Sequence, residues 1–188
     1  MSNLKGLGVA LVTTFNEDLS VDFDSLTKLV DFNIENGTNY LVVLGTTAEA
    51  ATLSNEEKKQ VTEHIVKVNN GRIPLVLGIG GNNTMEVKKQ IEETDLSAFE
   101  AVLSVSPYYN KPNQEGLYQH YKVLAGTGKK IIIYNVPSRT GQNIEASTTL
   151  RLAKDFPNLF LIKEAAPNIL QYFDILRQKP EGFNLVSG

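Results

Sequence analysis

The sequence predicts an α/β fold, a TIM-type (β/α)8 barrel that is incomplete here, and three observations carry that expectation. Short runs rich in Val, Ile and Leu recur along the whole chain and are continuous rather than alternating, as parallel strands covered on both faces require. Amphipathic helical patterns separate them, which implies a parallel sheet with right-handed crossovers. Polar residues of chemical interest follow the carboxyl ends of these strands, and in a barrel those ends converge on one face.

Each element has its own signal. Strand one spans 9–12, and its connection, Thr13-Thr14-Phe15-Asn16, holds no glycine. A doubly wound open sheet, the competing architecture, would usually place a Gly-rich turn there, so the barrel fits better. In the first helix Leu26, Leu29, Val30 and Ile34 share a face, with Asp24 able to cap the start and Gly37 the end. Strand two spans 40–44. The second helix opens with Ser54 and Glu57 at capping-box spacing, buries Val61, Ile65 and Val68, and stops at Gly71. Strand three, 74–77, is followed by Gly78-Ile79-Gly80-Gly81, which lacks the full dinucleotide fingerprint and is equally a close-packed turn. Met85, Val87 and Ile91 mark the third helix, and strand four spans 101–105. Leu117, Tyr121 and Leu124 mark the fourth helix, before strand five at 131–134. Leu150 and Ala153 begin the fifth helix, strand six spans 159–162, Ile169, Phe173 and Leu176 mark the sixth helix, and strand seven spans 183–186. Neither a linker nor a low-complexity tract interrupts the pattern, so 1–188 reads as a single domain truncated before the eighth strand.

Composition narrows the setting. With 188 residues, 41% hydrophobic and 21% charged, the chain can bury a sizeable core. A net charge of -3 and a pI near 5.5 give no electrostatic reason to expect nucleic acid or an anionic membrane as partner. Zero cysteines exclude a disulfide framework and suit a reducing cytoplasm. Residues 1–10 hold one lysine and no long apolar core, so no signal peptide is expected, and the apolar runs fall short of the roughly 20 residues of a spanning helix. A soluble cytoplasmic protein is the expectation.

Lys163 stands inside one of the most apolar stretches, Leu159-Phe160-Leu161-Ile162-Lys163-Glu164-Ala165. The segment alone allows two readings. Either the strand ends at Ile162 and the lysine reaches water beside Glu164, or the amine is desolvated, loses its proton readily and attacks a carbonyl carbon as a Schiff-base lysine. Its companions sit at comparable places: Thr46 and Thr47 after strand two, Tyr108 and Tyr109 after strand four, Tyr134 and Arg139 after strand five. Singly, these are ordinary strand formers, packing aromatics or a surface cation. Together they supply hydroxyls that pass protons and a guanidinium that clamps a carboxylate. His64 and His120 lie on different helices with no metal-ligand partner at useful spacing, and read as surface or packing residues. Glu49 and Glu164 flank the site, where holding loops or lysines suits them better than acid-base chemistry.

Four segments carry a resemblance: Gly45-Thr46-Thr47-Ala48-Glu49, Pro107-Tyr108-Tyr109-Asn110-Lys111-Pro112, the run from Tyr134 through Pro137-Ser138-Arg139-Thr140 to Gly141, and Ile162-Lys163-Glu164-Ala165. In order and spanning nearly the entire chain, they resemble the dihydrodipicolinate synthase family. Its parent group also holds N-acetylneuraminate lyase and 2-keto-3-deoxygluconate aldolase, which share the barrel, the lysine and the tyrosine before it. The Pro-Ser-Arg-Thr-Gly segment is similar to the synthases and not to the sugar-acid lyases. The resemblance implies that Lys163 condenses with pyruvate, that Tyr134, Thr46 and Tyr109 relay protons, with Tyr109 supplied by a neighbouring subunit, and that Thr47 holds the pyruvate carboxylate. It further implies that Arg139 orients Tyr134 and binds L-aspartate-4-semialdehyde, that Gly188 lies near pyruvate, and that no metal or organic cofactor is needed. The complete protein would be a homotetramer, a dimer of dimers, in lysine and diaminopimelate biosynthesis.

Departures qualify the match. Ala48 replaces a usual glycine. Asn82, Glu86 and Tyr108 match a lysine effector site, whereas Asn55 and Lys58 do not, and a cation at Lys58 should repel a lysine ligand. The chain ends at Gly188, where the resemblance leads one to expect a seventh helix, an eighth strand and C-terminal helices. A sheet open at that point would expose an edge and apolar surface, so the chain reads as part of a functional protein. Two other functions stay open: a 2-oxo sugar acid aldolase or lyase releasing pyruvate, and a non-catalytic chain that only binds an oxo-acid or assembles with a partner.

Overall fold

The computed structural model describes residues 4–188, so the first three residues of the N-terminal stretch 1–10 lie outside it. Two compact units form, the first running to Gly78 and taking in Asp95–Glu100, the second comprising Ile79–Thr94 and Ala101–Gly188.

In the first unit the order is β1 (Gly8–Ala10), α1 (Phe23–Glu35), β2 (Tyr40–Val43), a 3-10 turn (Thr46–Ala48), α2 (Asn55–Asn69) and β3 (Leu75–Gly78). The strands are parallel, Val9 lying beside Leu41 and Val42 beside Val76. Leu41, Val43 and Val76 are buried in the sheet, while Leu26 and Val30 of α1 and Val61 and Ile65 of α2 supply the apolar faces of two helices that pack together. The capping box forms as the spacing predicts: Ser54 Oγ accepts from the Glu57 N–H at 3.2 Å and Glu57 Oε2 accepts from the Ser54 N–H at 2.7 Å. Four details differ from expectation, the first being that β3 starts and ends one residue later than the expected 74–77. β1 ends at Ala10, two residues early, and β2 stops at Val43 because Leu44 turns to φ 53°. The cap of α1 is Asp22, whose carboxylate accepts from the Ser25 N–H at 2.9 Å; Asp24 falls in the first turn instead, where its charge still suits the helix dipole. Gly8 is glycine for a steric reason: a Cβ there would stand 2.0 Å from the Tyr40 ring.

The second unit runs α3 (Thr84–Glu93), β4 (Ala101–Val105), α4 (Gln114–Ala125), β5 (Ile131–Asn135), a short α5 (Pro137–Thr140), α6 (Ala146–Asp155), β6 (Leu159–Glu164), α7 (Ile169–Gln178) and β7 (Asn184–Ser187). Its four strands are parallel, with Val105 beside Tyr134, Tyr134 beside Lys163, and Lys163 beside Val186. The helices pack in series, α3 on α4, α4 on α6 and α6 on α7. β5 and β6 run further than their apolar runs, gaining Asn135 and then Lys163 and Glu164. These added residues are the polar ones that matter below. β7 starts and ends one residue later than expected.

Helix faces are corrected at three places. Met85 is 61% exposed, so α3 packs through Val87 and Ile91 alone. On α6 Leu152, Ala153 and Thr149 are buried, whereas Leu150 is only partly so. α7 turns its expected apolar stripe outward: Phe173 is 62% exposed, with Ile169, Leu170 and Leu176 also exposed, and Gln171 and Ile175 face in. Hydrogen bonds explain that choice, because Gln171 donates to a buried carboxylate and to a backbone carbonyl.

Candidate active site

Lys163 belongs to the body of β6 and is not a residue beyond its end. Its neighbours Leu161 and Ile162 are buried and the lysine itself half-buried, so desolvation lowers the pKa of its amine from the ordinary value. The parallel register sets Tyr134 beside it, and Nζ lies 4.6 Å from the Tyr134 ring centroid. That contact favours the ammonium form, and desolvation opposes it. No carboxylate pairs with Nζ among the described residues, which leaves the amine free to react. On the β7 side the stem of Lys163 lies over Gly188, where a Cβ would come within 2.8 Å of the lysine Cε and 2.9 Å of the Ala165 Cβ. A side chain at 188 would therefore push the lysine aside.

Arg139 is carried by α5, which Pro137 starts and Gly141, at φ 72°, ends. Its guanidinium is exposed and has no ionic or hydrogen-bond partner among the described residues. Lys111 lies beside the same turn, its Cε 2.7 Å from where a Cβ on Gly141 would be. Tyr108 is partly exposed and Tyr109 is 89% exposed. Both Tyr109, at φ 73°, and Lys111, at φ 45°, hold left-handed backbone that is costly for side-chain-bearing residues.

Thr46 and Thr47 belong to the first unit, on the 3-10 turn that follows β2, and both are exposed. The turn is pinned from below, since Thr13 Oγ1 donates to the Ala48 carbonyl at 2.7 Å while the Ala48 methyl is buried. Alanine in place of glycine is thus accommodated there. In the second unit the structure brings Lys163, Tyr134 and Gly188 together. Asn82, Glu86 and Tyr108 are all at least partly exposed, and no hydrogen bond links them among the described residues. Asn83, beside Asn82, caps α3 by accepting from the Met85 and Glu86 N–H groups.

Both histidines pack. His64 Nε2 lies 2.8 Å from Thr27 Oγ1, with its ring 5.0 Å from Phe23. His120 is buried, its Nδ1 2.8 Å from Thr84 Oγ1, and burial brings its pKa down to about 4. Its Nε2 has no partner among the described residues. A buried lone pair costs less than a buried N–H without an acceptor, so the proton sits on Nδ1 and is donated to Thr84.

One constellation escapes the sequence. Glu164 is fully buried, and all its carboxylate contacts are N–H donors: Asn135 Nδ2 at 2.8 and 3.0 Å, the Ala166 N–H at 2.8 Å and Gln171 Nε2 at 2.9 Å. Asn143 joins the cage, accepting from Asn135 at 2.8 Å and donating to Gln171 at 2.9 Å. The available signal was the doublet: Tyr134-Asn135 and Lys163-Glu164 each end an apolar strand with two polar residues, which alternation points to opposite faces.

Parallel β/α units, with a desolvated lysine in the sixth strand packed over a tyrosine on the neighbouring fifth strand, define the class, a parallel β/α protein with a reactive-lysine site. Comparison with known proteins agrees. The model of the Dihydrodipicolinate synthetase family matches residues 3–188. The 4-hydroxy-tetrahydrodipicolinate synthase of Parabacteroides distasonis is 55% identical over 187 residues, covering 99% of this chain and 63% of that protein. The synthase of the same name from Flavobacterium psychrophilum is 57% identical over 184 residues, covering 97% and 63%. A crystal structure of the chloride-inhibited dihydrodipicolinate synthase from Acinetobacter baumannii, complexed with pyruvate, superposes with a TM-score of 0.93 at 43% identity, over 98% of this chain and 64% of that one. The chain belongs to the dihydrodipicolinate synthetase family and has its (β/α)8-barrel fold class. It spans about 63% of the length of these curated relatives.

Proposed function

We propose that this chain carries the imine-forming part of a 4-hydroxy-tetrahydrodipicolinate synthase, a lyase of the class I aldolase type. The observation that carries it is the half-buried, unpaired amine of Lys163 over Tyr134, its stem seated on Gly188. In its neutral form the amine attacks C2 of pyruvate, and loss of water leaves an imine. A proton leaves C3 to give an enamine, whose carbon attacks the aldehyde of L-aspartate-4-semialdehyde. The amino group of that substrate then attacks C2, closing the ring and releasing the lysine. The protonated imine is itself the electron sink, so these steps call on no metal or organic cofactor.

Tyr134, Thr46 and Tyr109 are assigned the proton relay, Thr47 the pyruvate carboxylate, and Arg139 the carboxylate of the second substrate. The exposure and left-handed backbone of Tyr109 support a side chain meant for a neighbouring subunit in a homotetramer. We assign the chain to lysine and diaminopimelate formation in the cytoplasm, a setting with which the cysteine-free composition is compatible. Asn82, Glu86 and Tyr108 are assigned a lysine effector site that Lys58 weakens, so titration with L-lysine should show little inhibition; strong inhibition would refute this.

Borohydride reduction in the presence of pyruvate tests the central step. A covalent adduct mapped to Lys163 by peptide mass is expected. A folded protein that yields no adduct would refute imine formation by this chain.

A further inference from the structure

We infer that Glu164 is a positioning residue for the reactive lysine: its buried carboxylate, gripped by amide donors from three segments, fixes the strand ends that carry Tyr134 and Lys163. The inference rests on the imine chemistry proposed for Lys163.

The hydrogen bonds define the charge state. Asn135 Oδ1 accepts from the Ile144 backbone N–H at 3.0 Å, so its Nδ2 must face Glu164; Gln171 Nε2 also donates to the Ile144 carbonyl at 3.1 Å, which fixes that amide too. With donors on both oxygens and, among the described residues, no acceptor for an O–H, Glu164 is a carboxylate. Among the described residues no Lys, Arg or His pairs with it. Burying an ion without a counter-ion is unfavourable, and a well-packed apolar residue would cost the fold less. Such a cost is characteristic of functional sites.

Placement shows what the cost supports. Asn135 directly follows Tyr134, Asn143 and Ile144 follow the turn that carries Arg139, and Ala166 and Gln171 follow Lys163. The carboxylate ties the first and third directly, and the second through Asn135 and Gln171. The Glu164 backbone carbonyl accepts from the Gly188 N–H at 2.8 Å and from Tyr172 Oη at 2.7 Å, so the glycine that admits the lysine stem hangs on the same residue. Because side chains alternate along β6, Glu164 acts from the face opposite Lys163 and touches no substrate.

Glu164→Gln is the informative change. Whichever way its amide turns, an NH2 meets Asn135 Nδ2 together with either the Ala166 N–H or Gln171 Nε2. Adduct formation by borohydride trapping is measured against pyruvate concentration, normalised to folded protein by circular dichroism. We expect the plateau rate to fall about tenfold, as loss of alignment predicts, with the half-saturating pyruvate concentration unchanged. A wild-type plateau, or a lower melting temperature with no change in plateau, would overturn the inference. Should E164Q not fold, Gln171→Leu removes one donor and leaves the charge; a several-fold lower plateau supports the inference and an unchanged one overturns it. Absence of an adduct in the wild type would instead refute the proposed function, and the positioning role with it.

Discussion

At the scale of single residues, burial decides what each ionisable group does. Desolvation holds the pKa of Lys163 below the ordinary amine value, so the charged form of this side chain is a liability to the fold. Lys163→Met should therefore abolish adduct trapping while leaving the melting temperature unchanged or raised; a large fall would mean that the ammonium is structural. His120 shows the same physics in a residue without a catalytic role. Its ordinary value of 6.5 falls to about 4 because burial disfavours the imidazolium. Between those values the unfolded chain binds a proton that the folded chain refuses, so this contribution is intact above pH 6.5 and is lost as the pH falls toward 4. A gap of that width is worth about 3 kcal/mol. His120→Phe, which cannot titrate, should show a flatter fall in urea-unfolding free energy from pH 7 to pH 4.5, although it loses the Thr84 hydrogen bond. Lys163 is legible in the sequence because a charge interrupts an apolar run. Glu164 is legible only as a neighbour, since its cage is assembled from positions up to 29 residues away.

Among the elements, local chemistry is read more faithfully than facing. The capping box of α2 depends on two residues three apart, Ser54 exposed and Glu57 partly so, and it forms as the spacing requires. Ser54→Ala should lower unfolding free energy by about 1 kcal/mol in a urea titration, because the Glu57 N–H loses its acceptor and no packing changes. The face of α7 is another matter. Ile169, Phe173 and Leu176 form an apolar stripe in sequence, yet the helix buries Gln171, because a hydrogen-bonded amide beside a buried carboxylate outweighs the apolar area on the other side. Periodicity finds a helix; it cannot find a polar anchor supplied by another segment. Strand ends miss for a related reason. β5 and β6 continue through Asn135, Lys163 and Glu164, since backbone pairing with a neighbouring strand is indifferent to side-chain polarity.

For the whole molecule, the outward stripe of α7 combines with a low net charge. Ile169, Leu170, Phe173 and Leu176 are exposed on one helix and form a contiguous apolar surface of the kind that soluble chains rarely leave uncovered. A formal charge of -3 on 188 residues offers little electrostatic repulsion, and near the pI of about 5.5 even that vanishes. Association between copies should therefore be strongest near pH 5.5 and weaker at pH 8, where the net charge is more negative. The counter-experiment places a cation in the stripe. Phe173→Lys puts a charge at a position that is 62% exposed, so it should leave the unfolding free energy within about 0.5 kcal/mol of wild type. At pH 8 it should also lower the weight-average sedimentation coefficient at high protein concentration, because an ammonium facing a second copy's apolar stripe must be desolvated. A sedimentation profile independent of both concentration and this substitution would show that the stripe does not drive assembly of this chain.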